Sequence, residues 1–243
     1  MQITQREKEI EEWTEMKIVT WNQGYWQHRS TSDEAWDYLR KQIRPDLALL
    51  QEAGPAKLDS NEYLTVKKVH QNWGTALYTR NMPLEELAIA EEYPGRVSAA
   101  SFEIAPNQKA IAVSVHAPII EGYVFPHLDK IFDEIERMVS GKTFIVGGDL
   151  NTARLAEKVW PRHGHGPFFE RLSKSIFFDC HQTLHGREEQ TIFRKGSKYP
   201  FQDDHLFVSH DLASNVKSCF TLDNEIVRSL SDHIPVVAHL FSI

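Results

Sequence analysis

Apolar positions along this chain fall into short blocks, and most blocks end on a polar residue. Lys17-Ile18-Val19-Thr20-Trp21 reads as a β-strand with Asn22 at its end. Leu47-Ala48-Leu49-Leu50 is a continuous apolar run, which suits a buried strand, and it delivers Gln51 and Glu52. Residues 75–79 predict a third strand. Residues 97–104 and 109–116 predict a strand pair, the second member ending on His116-Ala117-Pro118. Phe144-Ile145-Val146 predicts another buried strand, stopped by Gly147-Gly148 and followed by Asp149 and Asn151. The glycines permit positive φ and a close approach to a ligand. On an extended chain the two-residue spacing points Asp149 and Asn151 the same way. Residues 175–178, Thr191-Ile192-Phe193 and Leu206-Phe207-Val208 are further strand candidates. A closing strand over 234–241 follows Ser231-Asp232-His233.

Helical spacing is scarcer. Trp36, Leu39 and Ile43 follow Thr31-Ser32-Asp33-Glu34, where Thr31 and Glu34 are placed for a capping box, and Pro45 stops the run. Ile131, Phe132, Ile135 and Met138 share one face of a helix over 128–139, with Gly141 past its end. Residues 168–172 suit a short helix. Residues 1–15 read as a polar extension with Ile10 and Trp13 as its candidate contacts, and Met16 as an alternative start. Residues 16–243 read as one domain, without repeat, low-complexity tract or linker. Many strands and few helices in mixed order predict a layered α/β sandwich rather than alternating βαβ units.

Composition narrows the setting. No stretch approaches the roughly 20 apolar residues of a membrane helix, and the glutamate-rich start is no signal peptide. Cys180 and Cys219 alone make no disulfide framework. A reduced, cytoplasmic setting fits, with one bridge left open. The net charge of −7 argues against a long basic face for nucleic acid. The charge is uneven, however. Residues 154–198 carry nine Lys or Arg against five Asp or Glu, a net of +4 that leaves −11 elsewhere. That segment is either a solvated surface or a positive wall beside a phosphate. Arg154, Arg162, Arg171 and Lys174 are its candidate substrate contacts.

The chemistry sits just past the strand ends, at Asn22, Glu52, His116, Asp149 with Asn151, Asp204, and Asp232-His233. Singly, each has a plainer role as a cap, a surface carboxylate or a buried histidine. Together the acids and amides form a hard-oxygen set suited to Mg²⁺ or Mn²⁺. The histidines exchange protons near neutral pH. Zinc spacing, a P-loop, a nucleophile elbow and a dinucleotide fingerprint are all missing.

Thr20-Trp21-Asn22, Leu50-Gln51-Glu52, His116-Ala117-Pro118, Gly148-Asp149-Leu150-Asn151, Asp204-His205-Leu206-Phe207-Val208 and Ser231-Asp232-His233-Ile234-Pro235-Val236 occur in that order. The ordered set resembles the endonuclease/exonuclease/phosphatase superfamily. The resemblance implies a deoxyribonuclease-like, four-layered α/β/β/α sandwich of two facing mixed sheets. It also implies a Mg²⁺-dependent phosphoesterase, read here as a monomeric, nuclease-like phosphodiesterase. A phosphomonoesterase, a phospholipid or small-molecule hydrolase, and an inactive binding module are the alternatives. By position Glu52 is the main metal ligand, with Asn22 and Asp232 beside it. Asp149 and Asn151 orient or activate water. His233, held by Asp204, contacts the phosphate, and His116 stands where the deoxyribonuclease branch has a second histidine. A protonated histidine and a metal then stabilise charge on the phosphoryl and leaving oxygens. Two departures stand out. Gln202-Asp203 precedes Asp204, adding a carboxylate, and Gly24 stands where some apurinic-site repair enzymes carry an acid.

Overall fold

The apolar blocks assemble into two six-stranded mixed sheets in a computed structural model, which describes residues 15–69, 72–194, 196 and 198–241. The first sheet holds β1 (Glu15–Asn22), β2 (Leu47–Ala53), β3 (Glu62–Lys68), β4 (Gly74–Arg80), β11 (Val216–Thr221) and β12 (Val236–Phe241). Its spatial order is β11-β12-β1-β2-β4-β3. The second sheet holds β5 (Glu85–Leu87), β6 (Val97–Ala105), β7 (Gln108–His116), β8 (Thr143–Asp149), β9 (Phe177–Asp179) and β10 (Asp204–Ser209), in the order β5-β6-β7-β8-β10-β9. The helices are α1 (Ser32–Tyr38), continued by a π turn over Leu39–Ile43, then α2 (His127–Val139), α3 (Ala156–Val159), α4 (His165–Ser173), α5 (Cys180–His185) and α6 (Glu225–Leu230).

Strand alternation decides which residue faces which layer. Ile18, Leu47 and Leu49 from one sheet meet Ala112, Ile145 and Leu206 from the other in the central core. The opposite faces carry Val19, Trp21 and Leu50, which pack on Trp36 and Leu39 and on Val227 and Leu230 of α6. Val113, Phe144 and Phe207 pack on α2 and α4. Helix α2 buries Leu128, Ile131, Phe132, Ile135 and Val139, each contributing roughly 1.5–3 kcal/mol when fully removed from water. The result is the four-layered arrangement expected from the resemblance.

Several local expectations change. Thr31 makes no side-chain cap on α1; its hydroxyl donates to the His28 carbonyl at 3.0 Å, so there is no capping box. Thr191-Ile192-Phe193 is no strand. Ile192 forms one isolated bridge with His233, and this segment braces a loop instead. Strand β1 starts at Glu15, paired with Phe241, two residues before the Lys17 start expected for the strand. Ile10 and Trp13 lie outside the described residues. Strands β3, β5 and β11 and helices α3, α5 and α6 are not anticipated by the sequence pattern. Cys180 and Cys219 are buried and free.

Candidate active site

Strand register gathers the polar strand ends onto one edge. Strands β1 and β2 run parallel with Asn22 opposite Gln51, and β7 and β8 run parallel with His116 opposite Asp149. Strand β10 runs antiparallel to β8 and sets Asp204 opposite Asp149. The two sheets are tied here by Gln51, whose Nε2 donates to Ser114 Oγ at 2.9 Å while Ser114 Oγ donates to the Leu50 carbonyl at 2.8 Å. The β2–β4 register shifts between Leu50 and Ala53, and Glu52 sits in this bulge at φ 45°. A bulge re-aims a side chain, and here it releases Glu52 from the sheet's alternation. The loop bearing Asp232 and His233 is pinned by Ser231 Oγ donating to the Asn22 carbonyl at 2.7 Å and Trp21 Nε1 donating to the His233 carbonyl at 3.0 Å.

Asp149 is the hub. Its Oδ2 accepts from Asn22 Nδ2 at 2.9 Å and lies 3.8 Å from His116 Nε2 and 3.7 Å from His233 Nε2. Its Oδ1 accepts the Asn151 backbone N–H at 2.9 Å. This last contact corrects the extended-chain picture. Strand β8 ends at Asp149, Asn151 is left-handed at φ 49°, and its Nδ2 donates to the Ala117 carbonyl at 2.9 Å. The role expected of Gly148 changes as well. A Cβ there would lie 1.8 Å from the Val115 carbonyl oxygen, so the glycine serves strand contact rather than a ligand.

The electrostatics divide the roles. His233 Nδ1 sits 2.8 Å from Asp204 Oδ2. Burial opposes its charge, but Asp204 and Asp149 overcome this and push its pKa up to about 10. Asp149 is also buried, yet His233, His116 and the amide donors hold its pKa below 3.8. His116 goes the other way. Burial, with Arg96 and His233 against Asp149, pulls it down to about 4. Arg96 Nη1 lies 3.0 Å from His116 Nδ1. A guanidinium only donates, and Nη1 is nearer Nδ1 than Nε2 (3.0 against 3.4 Å), so Nδ1 accepts and Nε2 carries the proton, with Glu52 Oε1 and Asp149 Oδ2 at 3.7 and 3.8 Å from it. His116 is therefore held neutral, as an Nε2–H donor, and the protonated histidine of the pair is His233.

Glu52 is a cleft carboxylate with one oxygen left unsatisfied, while its Oε1 lies 3.7 Å from His116 Nε2. Its Oε2 is buried with no hydrogen-bond partner. Burial first, then Asp149, pushes its pKa up to about 7, and Asp232 adds to the rise. Among the described residues no three His, Cys, Asp or Glu side chains are grouped to hold a metal. One carboxylate, with Asn22 and Asp232 near it, still fits Mg²⁺, which keeps several waters and often takes one or two carboxylates. Asp203 is the extra carboxylate noted in the sequence. Burial and Asp149 raise its pKa to about 8.

The cleft of about 700 Å³ over these groups is lined by Glu52, His116, Asp149 and Asn151 and by residues the sequence did not single out. Arg96 stacks on Trp73, 5.5 Å from the ring centroid, and Arg194 Nε lies 3.4 Å from Asp232 Oδ2. The expected basic contacts are not in the cleft lining. Arg154 pairs with Asp179 and stacks on Phe169, Arg171 pairs with Asp129 and Asp133, Lys174 pairs with Glu170, and Arg162 is exposed. An arginine at the start of β6, 20 positions before His116, carries no sequence signal linking it to that histidine. At Gly24, φ is 59° and a Cβ would sit 3.1 Å from Ser231 Oγ and 3.6 Å from Asp232 Oδ1. A second acid there would crowd Asp232.

The sequence matches the Endonuclease/Exonuclease/phosphatase family over residues 19–233. A search of curated proteins finds no match. Among solved structures, an AP endonuclease from Archaeoglobus fulgidus superposes with a TM-score of 0.74 at 18% identity, covering 94% of this chain and 100% of that one. An AP endonuclease from Leishmania major gives 0.73 at 17% identity, covering 95% and 89%. A 3′ phosphatase from Neisseria bound to a product DNA hairpin gives 0.68 at 18% identity, covering 94% and 100%. At these identities the likeness speaks for the fold.

Proposed function

The chain belongs to the endonuclease/exonuclease/phosphatase family, and from that premise we propose that it is a divalent-cation-dependent phosphodiesterase acting on nucleotide substrates. The observation that carries the reading is Asp149, ionised between the two histidines, with Glu52 beside the same His116 and presenting one buried oxygen that has no hydrogen-bond partner. Glu52, with Asn22 and Asp232, would hold the cation, which when bound neutralises charge on the phosphoryl and leaving oxygens.

The protein's own groups do the rest. Asp149 is ionised and takes a proton from the attacking water, since His233 is already protonated at neutral pH. Asn151 and Asn22 fix the two Asp149 oxygens and so its direction of attack. Protonated His233, oriented by Asp204, donates to a phosphoryl oxygen as charge builds there. His116 adds an Nε2–H donor, and Arg96 behind it supplies the positive charge that a neutral histidine lacks. A full set of base, donors and orienting partners favours catalysis over a binding module. The space at Gly24 does not favour an apurinic-site repair enzyme with a further acid there.

The test is a panel of single- and double-stranded DNA, RNA, bis-p-nitrophenyl phosphate and phosphomonoesters, each with Mg²⁺, Mn²⁺ or EDTA. Metal-dependent cleavage of diesters including nucleic acid is expected. Turnover of monoesters alone would contradict the reading.

A further inference from the structure

Beside the catalytic cleft lies a second cavity of about 370 Å³, which shares Ile119 and Asn151 with it. Five ring side chains make most of its wall: Tyr123, Phe125, Trp160, His163 and His165. His163 and His165 are stacked at 6° with centroids 6.3 Å apart, and Tyr123 lies 6.0 Å from His163 at 31°. Phe125 meets His165 edge-on at 5.6 Å. Tyr123 and Trp160 are 57% and 44% exposed, so both leave ring surface uncovered at the rim. Tyr123 is held in place by a tight turn in which Ile120 and Tyr123 exchange two backbone hydrogen bonds of 2.9 Å.

The lining is neutral. Among the described residues, no Asp, Glu, Lys or Arg contributes to it. Burial lowers the pKa of His165, with His163 and against Glu157, and its Nδ1 is 2.7 Å from Thr152 Oγ1. No cation faces a second phosphate here. The wall instead offers ring faces and a few polar atoms, which suits one flat, uncharged heteroaromatic ring. Stacking on aromatic side chains is favourable for every nucleobase because each has a π-face.

We propose that this recess takes a single nucleobase of the nucleotide whose phosphodiester lies at Asp149, so that the substrate is unpaired at that position. A base stacked in a duplex has both faces covered and cannot lie against the exposed rings of Tyr123 and Trp160. The inference rests on the nucleotide reading of the Asp149 site.

The test compares a dinucleoside monophosphate with the same sugar–phosphate diester lacking its bases. For the parent protein the base-bearing diester is expected to have a KM lower by roughly tenfold or more, as base stacking implies. In Tyr123→Ala that ratio should fall toward one. Tyr123 is exposed, and a matching melting temperature establishes that the variant is folded. Equal KM values for the two diesters in the parent, or a ratio unchanged in Tyr123→Ala, would overturn the recess. A second readout, equilibrium dialysis of a nucleoside 5′-monophosphate against ribose 5-phosphate, needs no turnover. If no diester is cleaved, yet the nucleotide binds preferentially and Tyr123→Ala removes the preference, the recess stands and the catalytic reading falls. Cleavage without base preference in either assay would overturn the recess and leave the catalytic reading in place.

Discussion

Glu52 is held by its surroundings in a state that the protein alone does not satisfy. Its folded pKa of about 7 exceeds the ordinary 4.5, and that of Asp203, about 8, exceeds 3.8. Each therefore stabilises the fold fully below its ordinary pKa, and that stability is lost as pH rises through the folded value. His116, lowered from 6.5 to about 4, opposes this only between those two values. Between pH 6.5 and 8.5 the metal-free protein should thus lose roughly 1 kcal/mol through Glu52 and roughly 2 through Asp203, and His233, raised from 6.5 to about 10, adds to the loss over the same range. Urea unfolding at pH 6.5 and 8.5 checks it. Mg²⁺ should restore stability at the higher pH, and Glu52→Gln should remove Glu52's share of the loss, leaving that of Asp203 and His233, and abolish the Mg²⁺ effect. A metal-free protein more stable at pH 8.5 would contradict this environment. At the same scale, His116→Ala should lower kcat by about 10² or more in steady-state kinetics while KM moves little, because the lost donor acts on developing charge. An unchanged kcat would reduce His116 to a strand-end residue.

At the scale of elements, Gly148 holds β8 against β7. A methyl group there would meet the Val115 carbonyl at 1.8 Å, in the strand pair that sets His116 beside Asp149. Gly148→Ala is expected to destabilise by upward of about 3 kcal/mol, with thermal melting as the check. A melting temperature equal to the parent's would mean that the two strands part freely. The strands that place the site were legible because each is an apolar block ending on a functional residue, as in Leu50-Gln51-Glu52. What hid from the sequence is local geometry. The bulge that turns Glu52 out of β2 depends on a register shift against β4, which no single segment encodes. Asn151 reaches the site through a left-handed turn, not through strand periodicity. Strands β3 and β11 mix polar with apolar residues, because β3 and β11 end the sheet order and each pairs on one side only. Arg96 meets His116 only through the β6–β7 pairing.

For the whole molecule, charge placement matters more than the net of −7. In the basic stretch after Asn151, Arg154 pairs with Asp179 and Glu188, Arg171 with Asp129 and Asp133, and Lys174 with Glu170. Among the described residues, the Lys and Arg side chains that line the cleft are Arg96 and Arg194. For a single-stranded oligonucleotide, Arg96→Gln and Arg194→Gln should each reduce the salt dependence of binding by about one phosphate contact. Replacing Arg171 and Lys174 should leave the slope as it was. Affinity measured across a salt series decides between the two sets. A slope that responds to Arg171 and Lys174 would put the nucleic-acid track on α4.

The central claim is that catalysis joins a cation at Glu52 to Asp149 as the base. It is tested most directly by stripping the protein of metal and following diester hydrolysis as Mg²⁺ or Mn²⁺ is titrated back, for the parent and Glu52→Gln. The parent should be silent in EDTA and recover saturably. Glu52→Gln should stay folded but need far more cation and reach little activity. Hydrolysis that persists in saturating EDTA, or a Glu52→Gln titration that overlays the parent's, would contradict the account.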